Sequence, residues 1–237
     1  MAKNRDRRPA KDKYKPWFDL VLLALAHLLL LPLWVFLWIS IPLLIWLGDR
    51  GPVFYGQPRV GKNGRVFILL KFRTMLPGAD AQGPAWTTER DPRITRVGGL
   101  LRRTALDELP GILSILKRDM SFVGPRALFV EEQKVLEEQI PGFAQRQCML
   151  PGLTGLAQVY DHADDAQGKL RYDLEYLDRM GPWLDAKLLI VSVLNTLGAR
   201  WDRRSGKPSN ESEPPASVAS GLQDSASSKE GYIKGDG

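Results

Sequence analysis

From Leu20 to Leu47 the chain carries no charged residue: LVLLALAHLLLLPLWVFLWISIPLLIWL. Leu, Ile, Val, Ala, Phe and Trp make up nearly all of it, and a stretch this long and apolar is a membrane candidate. A straight helix of that length would run about 42 Å. The hydrocarbon core of a bilayer is roughly 30 Å thick, so the segment must tilt strongly or break. Pro32 offers the break, because an interior proline removes a backbone hydrogen bond and kinks a helix. It leaves arms of about 18 and 22 Å, each too short to span alone. The run is longer than the apolar core of a signal peptide, and no small-x-small cleavage site precedes Gly48.

Charge placement bears on the choice between spanning and turning back. The 237 residues carry a net charge of +6, unevenly distributed. Residues 1–15 sum to +5, 16–48 to −1, 49–76 to +5 and 77–202 to −3, and 203–237 is neutral. A spanning helix has unequal flanks, with Lys and Arg enriched on the cytoplasmic side. Here both flanks are basic, with Lys3 to Lys15 before the block and Arg50, Arg59, Lys62 and Arg65 after it. This symmetry favours a re-entrant helix, broken at Pro32, with both ends on the cytoplasmic face against anionic headgroups. The charge brackets a lipid-seeking block rather than forming a folded basic face, which argues against a nucleic-acid binder. The lone Cys148 excludes an intramolecular disulfide, and with only His27 and His162 there is no Cys/His zinc site.

The expected organisation is a basic segment (1–15), a membrane helix (16–48), a catalytic domain (49–202) and a Ser-, Gly- and Pro-rich tail (203–237) of disordered composition. The fold class is α+β, mostly helical with little strand. VFYGQPRVG and NGRVFILLKFRTM flank Gly61-Lys62-Asn63-Gly64 and predict a short β-hairpin. Residues 77–92 have loop composition. Helices are predicted around 106–117, 128–139, 169–180 and 183–197, the third with Leu170, Leu174 and Leu177 on one side. SFVGPR reads as a loop and PGLTG (151–155) as a turn. Asp161, Asp164 and Asp165 fit a solvated acidic loop better than a metal loop, and His27 is given no chemistry.

Asp107 and Glu108, in LDELP, lie at an expected helix start, with Thr104 placed to cap. Anions are favoured there, so a structural cap and a phosphate-handling site both remain open. Successive helical residues point about 100° apart, so the two acids take different jobs. Lys71 and Arg73 in KFRTM, Arg102 and Arg103 before the pair, and Arg126 in SFVGPR surround it in sequence. Guanidinium groups grip phosphate bidentately and Gly-rich turns bring backbone N–H groups to the same anion. Together they point to a phosphorylated substrate at a bilayer surface.

FDLVLLALA, GPVFYGQPRVGKNGRVFILLKFRTM, RRTALDELPGILSILKRDMSFVGPR and PGLTGLAQV, in this order and spacing, resemble the bacterial sugar transferases, the small monotopic polyprenyl-phosphate phosphoglycosyl transferases. The resemblance covers about residues 14–200. It implies a re-entrant membrane helix on a cytoplasmic catalytic domain at the bacterial inner membrane, in contact with its lipids. It also implies transfer of a sugar-1-phosphate from a UDP-sugar to undecaprenyl phosphate with release of UMP, the first membrane step of polysaccharide or glycan synthesis. By motif position Asp107 is the nucleophile and a ligand of Mg²⁺, Glu108 its partner, and Lys71, Arg73, Arg102 and Arg126 the phosphate contacts. The resemblance sets no oligomeric state. The chain departs from the family at Leu31, where Ser is common before the proline, at Pro42, Ala127 and Leu156, and at Ser114 and Arg118, where Asn and Gly are usual. DHADDAQG (161–168) departs from the usual run as well. The alternative is a non-catalytic membrane-anchored scaffold of a polysaccharide assembly, against which the intact Asp107-Glu108 pair and its arginines speak.

Overall fold

A computed structural model describes residues 11–79, 91–161 and 165–197. The apolar block forms two helices, α1 (Lys15–Leu29) and α2 (Leu31–Asp49), separated at Leu30, whose φ of −116° and ψ of 22° leave helical geometry. The break therefore precedes Pro32 instead of falling on it. A proline ring collides with the carbonyl four residues back, here that of Leu28, so the first helix ends before the ring arrives. In the first turn of α2 the missing N–H of Pro32 costs nothing, because that donor has no intrahelical partner anyway. Leu31 brings no hydroxyl to the break, but Trp34 ties the two helices together. Its Nε1 donates to Ala26 O across the break (3.2 Å), and its ring stacks on His27 with centroids 4.4 Å apart. His27 Nδ1 in turn donates to Leu23 O at 2.8 Å. Among the described residues, α2 alone is long and apolar enough to cross a membrane, with a mean hydropathy of 2.0.

Both helices rest on the same domain. Leu23 of α1 packs with Phe67, Leu69, Ile112 and Ile115, and Ile41 and Ile45 of α2 pack with Phe72 and Leu101. At the foot of α1, the ammonium group of Lys15 is fully buried and donates to Asp185 (2.8 Å) and to Val123 O (2.6 Å). Asp19 accepts from Ser121 Oγ and from the Phe122 N–H. Lys15 is thus not the solvated flank charge expected of it, because its partners lie more than a hundred residues away. At the foot of α2, Asp49 pairs with Arg73, and Arg50 lies over the Trp46 ring at 4.0 Å.

The expected hairpin is present: β1 (Phe54–Val60) pairs antiparallel with β2 (Val66–Phe72), from Phe54 opposite Phe72 to Val60 opposite Val66. The turn is a 3-10 segment (Lys62–Gly64) in which Asn63 adopts φ 57°. After α3 (Arg96–Arg103), the predicted helix around 106–117 divides into a 3-10 turn (Leu106–Gly111) and α4 (Ile112–Leu116), with Pro110 in the turn. SFVGPR and PGLTG are not simply a loop and a turn. The first half of SFVGPR forms β3 (Ser121–Val123) and the middle of PGLTG forms β4 (Gly152–Thr154), a parallel pair. The glycines serve close approach here. A Cβ on Gly124 would lie 2.3 Å from Leu150 O, and one on Gly152 would lie 2.1 Å from Gly124 N.

The rest is helical: α5 (Val130–Gln139), α6 (Leu156–Tyr160), α7 (Ala166–Arg179) and α8 (Pro182–Leu197), with a 3-10 turn at Phe143–Cys148. On α7 the buried residues include Asp173, Tyr176 and Leu177, a stripe rotated from the predicted leucine face because Tyr176 and Asp173 find buried partners. Asp165 caps α7 by accepting from Gly168 N, so it serves the helix end. Residues 162–164, most of the 77–92 loop and the 203–237 tail lie outside the described residues, as does most of the basic 1–15 segment.

Arg118 ends α4 at φ 61°, the left-handed region that explains why glycine is usual there. Arg118→Gly should therefore raise stability by about 1 kcal/mol, or roughly 2–4 °C in Tm, as read by thermal unfolding in detergent.

Candidate active site

The inward face of β2 carries Phe67 and Leu69 into the core, and Lys71, next on that face, reaches the point where the core opens into a cleft of about 900 Å³. Thr74, just beyond the strand, accepts the Arg102 Nε–H on its hydroxyl at 2.8 Å. Thr74 O also accepts the Thr95 N–H at 3.0 Å, which docks the start of α3. Thr95 caps that helix through Gly98 N. The expected Thr104 cap on the acidic pair does not form. Its hydroxyl turns back to Leu100 O at 3.0 Å and closes α3.

Ala105 then reverses the chain at φ 54°, a conformation that costs a non-glycine residue on the order of 1 kcal/mol and must be held by its surroundings. The hold comes from Leu106 and Leu109, which pack against the cluster formed by α2, Phe72 and Leu101. The foot of the apolar helix thus braces the turn that presents Asp107 and Glu108 to the cleft.

The two carboxylates are held differently. Glu108 accepts from Lys71 Nζ at 2.7 Å. Burial alone would push Glu108 up, but the charges of Lys71 and Arg126 and the Lys71 hydrogen bond outweigh it and keep its carboxyl below the usual range. Asp107 has no side-chain partner of that kind among the described residues. Burial pushes it above the ordinary carboxylate range, opposed by Lys71 and Arg102 and reinforced by Glu108. Two neighbouring carboxylates pushed apart in this way are suited to separate roles, one as a permanent anion and the other as a less solvated, more reactive base or nucleophile.

Lys71, Arg73, Arg102 and Arg126 all line the same cleft as the acidic pair. Arg73 is the most constrained of them, buried and already paired with Asp49 at the end of α2, while its Nε and Nη1 have no partner among the described residues. Arg126 is exposed at the cleft, and its carbonyl is held by the buried Arg146 (2.9 Å), itself paired with Asp173 at 2.7 Å.

Arg59, read from the sequence as a membrane-flanking charge, is only 5% exposed and also lines the cleft. It donates to Ala127 O (2.9 Å) and Gln57 (2.8 Å) and lies 3.5 Å over the Phe129 ring, and burial pushes its pKa down to about 10. A signal for it existed in the sequence. Tyr55, Gln57 and Arg59 share one face of β1, and this polar face points inward, the reverse of an ordinary half-buried strand. Arg146 left no such signal, since its role depends on Asp173 in another helix.

An acidic pair ringed by cations sits on a strained turn braced by an apolar helix, an arrangement whose charges suit anionic, phosphate-bearing ligands. Residues 10–199 match the bacterial sugar transferase family, and the chain belongs to it. The exopolysaccharide production protein PSS of Rhizobium leguminosarum bv. phaseoli is 37% identical over 190 residues, covering 76% of this chain and 93% of that protein. The UDP-N-acetylgalactosamine-undecaprenyl-phosphate N-acetylgalactosaminephosphotransferase of Aeromonas hydrophila is 36% identical over 186 residues, 74% of this chain and 43% of that protein. The UDP-glucose:undecaprenyl-phosphate glucose-1-phosphate transferase of Xanthomonas campestris pv. campestris is 36% identical over 183 residues, 74% of this chain and 38% of that protein. The chain thus spans about two-fifths of the length of these last two relatives.

Proposed function

We propose that this chain transfers a sugar-1-phosphate from a UDP-sugar to undecaprenyl phosphate, releasing UMP, at the cytoplasmic face of the bacterial inner membrane. The observation that carries the reading is the placement of Asp107, with its carboxylate uncommitted, beside a Glu108 already neutralised by Lys71, among arginines in a cleft braced by α2. In the first step an Asp107 oxygen attacks the sugar-bearing phosphorus, and the bond to the UMP oxygen breaks with its electron pair leaving on UMP. In the second, a phosphate oxygen of the lipid attacks the same phosphorus and frees Asp107. Lys71, Arg102 and Arg126 neutralise the transferring phosphoryl group and offset the repulsion between two anionic substrates.

Among the described residues no group of three His, Cys, Asp or Glu side chains gathers as a metal cage. Mg²⁺ asks for less, since it keeps waters and takes one or two carboxylates plus substrate phosphates. The Asp107 carboxylate, uncommitted among the described residues, fits that requirement and would hold the ion together with the substrate phosphates. When bound there, Mg²⁺ supplies charge neutralisation to the phosphates.

The re-entrant topology belongs to the same proposal. Its support is the break at Leu30 together with the anchoring of both helix feet on one domain, α1 through Lys15 and Asp19, α2 through Asp49 and Ile45. Cysteines introduced at positions 5 and 60 should react only from the cytoplasmic side, and labelling of either from outside intact cells would establish a spanning helix.

The central test is a panel of UDP-sugars with undecaprenyl phosphate, scored by UMP release. One donor should turn over, EDTA should stop it and Mg²⁺ should restore it. A folded, membrane-inserted protein that releases UMP from none of them would favour the scaffold reading. Lys71→Met gives a pH signature. Lys71 lowers the Asp107 pKa, so its removal lets that pKa rise further and the attacking anion is lost at a higher pH. The acid limb of kcat/KM should move upward, and an unmoved limb would separate Lys71 from Asp107.

A further inference from the structure

We infer that the aromatic surface formed by Trp38 of α2 with Phe54 and Phe72 of the hairpin is the entry site for the prenyl chain of the lipid acceptor. The inference rests on the transferase reading above and adds the route by which a membrane-held substrate reaches a charged cleft. A polyprenyl phosphate has an apolar chain that must stay in an apolar environment and a phosphate that must reach cations. A route for it therefore needs an apolar surface continuous from the membrane helix to the cleft, ending at positive charge.

One side of the cleft supplies this. Trp38 of α2 lies edge-on to Phe72, with centroids 5.6 Å apart, and 6.5 Å from Phe54. Phe54 stacks on Phe72 at 5.5 Å with planes 20° apart. Phe72 is buried beneath them, whereas Phe54 is 42% exposed and lines the cleft. Leu76, exposed to a similar degree, lines the same rim. The aromatic series begins on the helix that is apolar enough for a membrane and ends on the cleft wall.

Charge completes the fit. Arg73 follows Phe72 in sequence, lines the cleft and keeps two buried guanidinium nitrogens without partners among the described residues. Lys71 and Arg102 line the cleft as well. A chain lying along α2 and over Phe54 delivers its phosphate to this group, near Asp107. Phe54 covers Phe72 while its own ring stays exposed at the cleft. Its exposure beside Trp38 is accounted for by an apolar ligand that passes over it.

The test compares acceptors. In nanodiscs, Phe54→Ser should lower kcat/KM for undecaprenyl phosphate about tenfold relative to kcat/KM for a ten-carbon prenyl phosphate, the loss of one aromatic contact. Phe54→Trp should restore the ratio. A ratio unchanged in Phe54→Ser overturns the inference. A second measurement needs neither turnover nor the donor. A photoreactive benzoylphenylalanine at position 54 should crosslink to undecaprenyl phosphate in nanodiscs made mostly of phosphatidylglycerol and phosphatidylethanolamine. The same group at exposed Phe36 should take bulk phospholipid. Crosslinking of position 54 to bulk phospholipid alone overturns the prenyl site. If the lipid crosslinks but the UDP-sugar panel gives no UMP, the transferase reading fails and the lipid site stands.

Discussion

Asp107→Asn abolishes turnover, with kcat falling by at least about 10⁴-fold, the scale seen when a covalent nucleophile is removed. The substitution keeps the shape of the side chain and removes the anion proposed to attack phosphorus. Asp107 has no ion-pair partner to strand among the described residues, so the fold should keep its Tm and its membrane association. A single-turnover experiment without acceptor sharpens the test. Wild-type protein should release up to one UMP per active site as the phosphosugar accumulates on Asp107, and the variant should release none. A near-wild-type burst from Asp107→Asn would remove the covalent route. Glu108→Gln acts differently, because it keeps an acceptor for Lys71 but removes the negative charge that neutralises its ammonium 2.7 Å away. It should disturb phosphate binding and the local charge balance more than the bond-forming step.

Asp185→Ala has the largest expected effect on stability, a loss of about 3–5 kcal/mol. The Asp185 carboxylate is fully buried and accepts from three donors: Tyr14 Oη (2.7 Å), Lys15 Nζ (2.8 Å) and Tyr176 Oη (2.6 Å). Burial, followed by the neighbouring Asp185, pushes the Tyr176 hydroxyl well above the ordinary phenol range, and burial and the Asp185 hydrogen bond do the same for Tyr14. Both hydroxyls therefore stay protonated as donors. Removing the acceptor leaves the buried Lys15 ammonium without its counter-charge and takes the carboxylate from two tyrosine hydroxyls. Thermal unfolding should show a fall on the order of 10 °C. The double variant Lys15→Met, Asp185→Leu should recover much of the loss, because it removes both charges and fills the space with apolar atoms. Equal losses in the single and double variants would mean that the pair is not coupled. Since Lys15 also holds Val123 O, directly before the Gly124–Arg126 run, Asp185→Ala should reduce activity as well as stability.

Local patterning determined a good part of this protein. The charge-free run Leu20–Leu47 is helical and apolar because no polar side chain interrupts it, and the Gly61–Gly64 turn between β-forming segments gave the hairpin in the expected place. The Asp107-Glu108 pair and the cations Lys71, Arg73, Arg102 and Arg126 were legible as residue types, and they do share one cleft. What local patterning cannot carry is the partner at a distance. By local pattern Lys15 is a solvated flank charge, and only Asp185, 170 residues away, makes it a buried ion-pair partner. Arg59 reads in the same way, yet it lies under Phe129 and against Ala127. SFV and GLT are each only three residues long and bordered by turn residues, and they become strands only because their backbones approach closely enough to pair. The helix break fell at Leu30 because the clash of a proline is felt four residues back, and the Trp34–His27 clasp that holds it requires the two helices to meet. Sequence alone thus determined which segments are apolar, where the chain turns and which ionisable groups are available. The tertiary structure decided which charges are desolvated and which carboxylate remains uncommitted, because both depend on groups that only folding brings within a few ångströms.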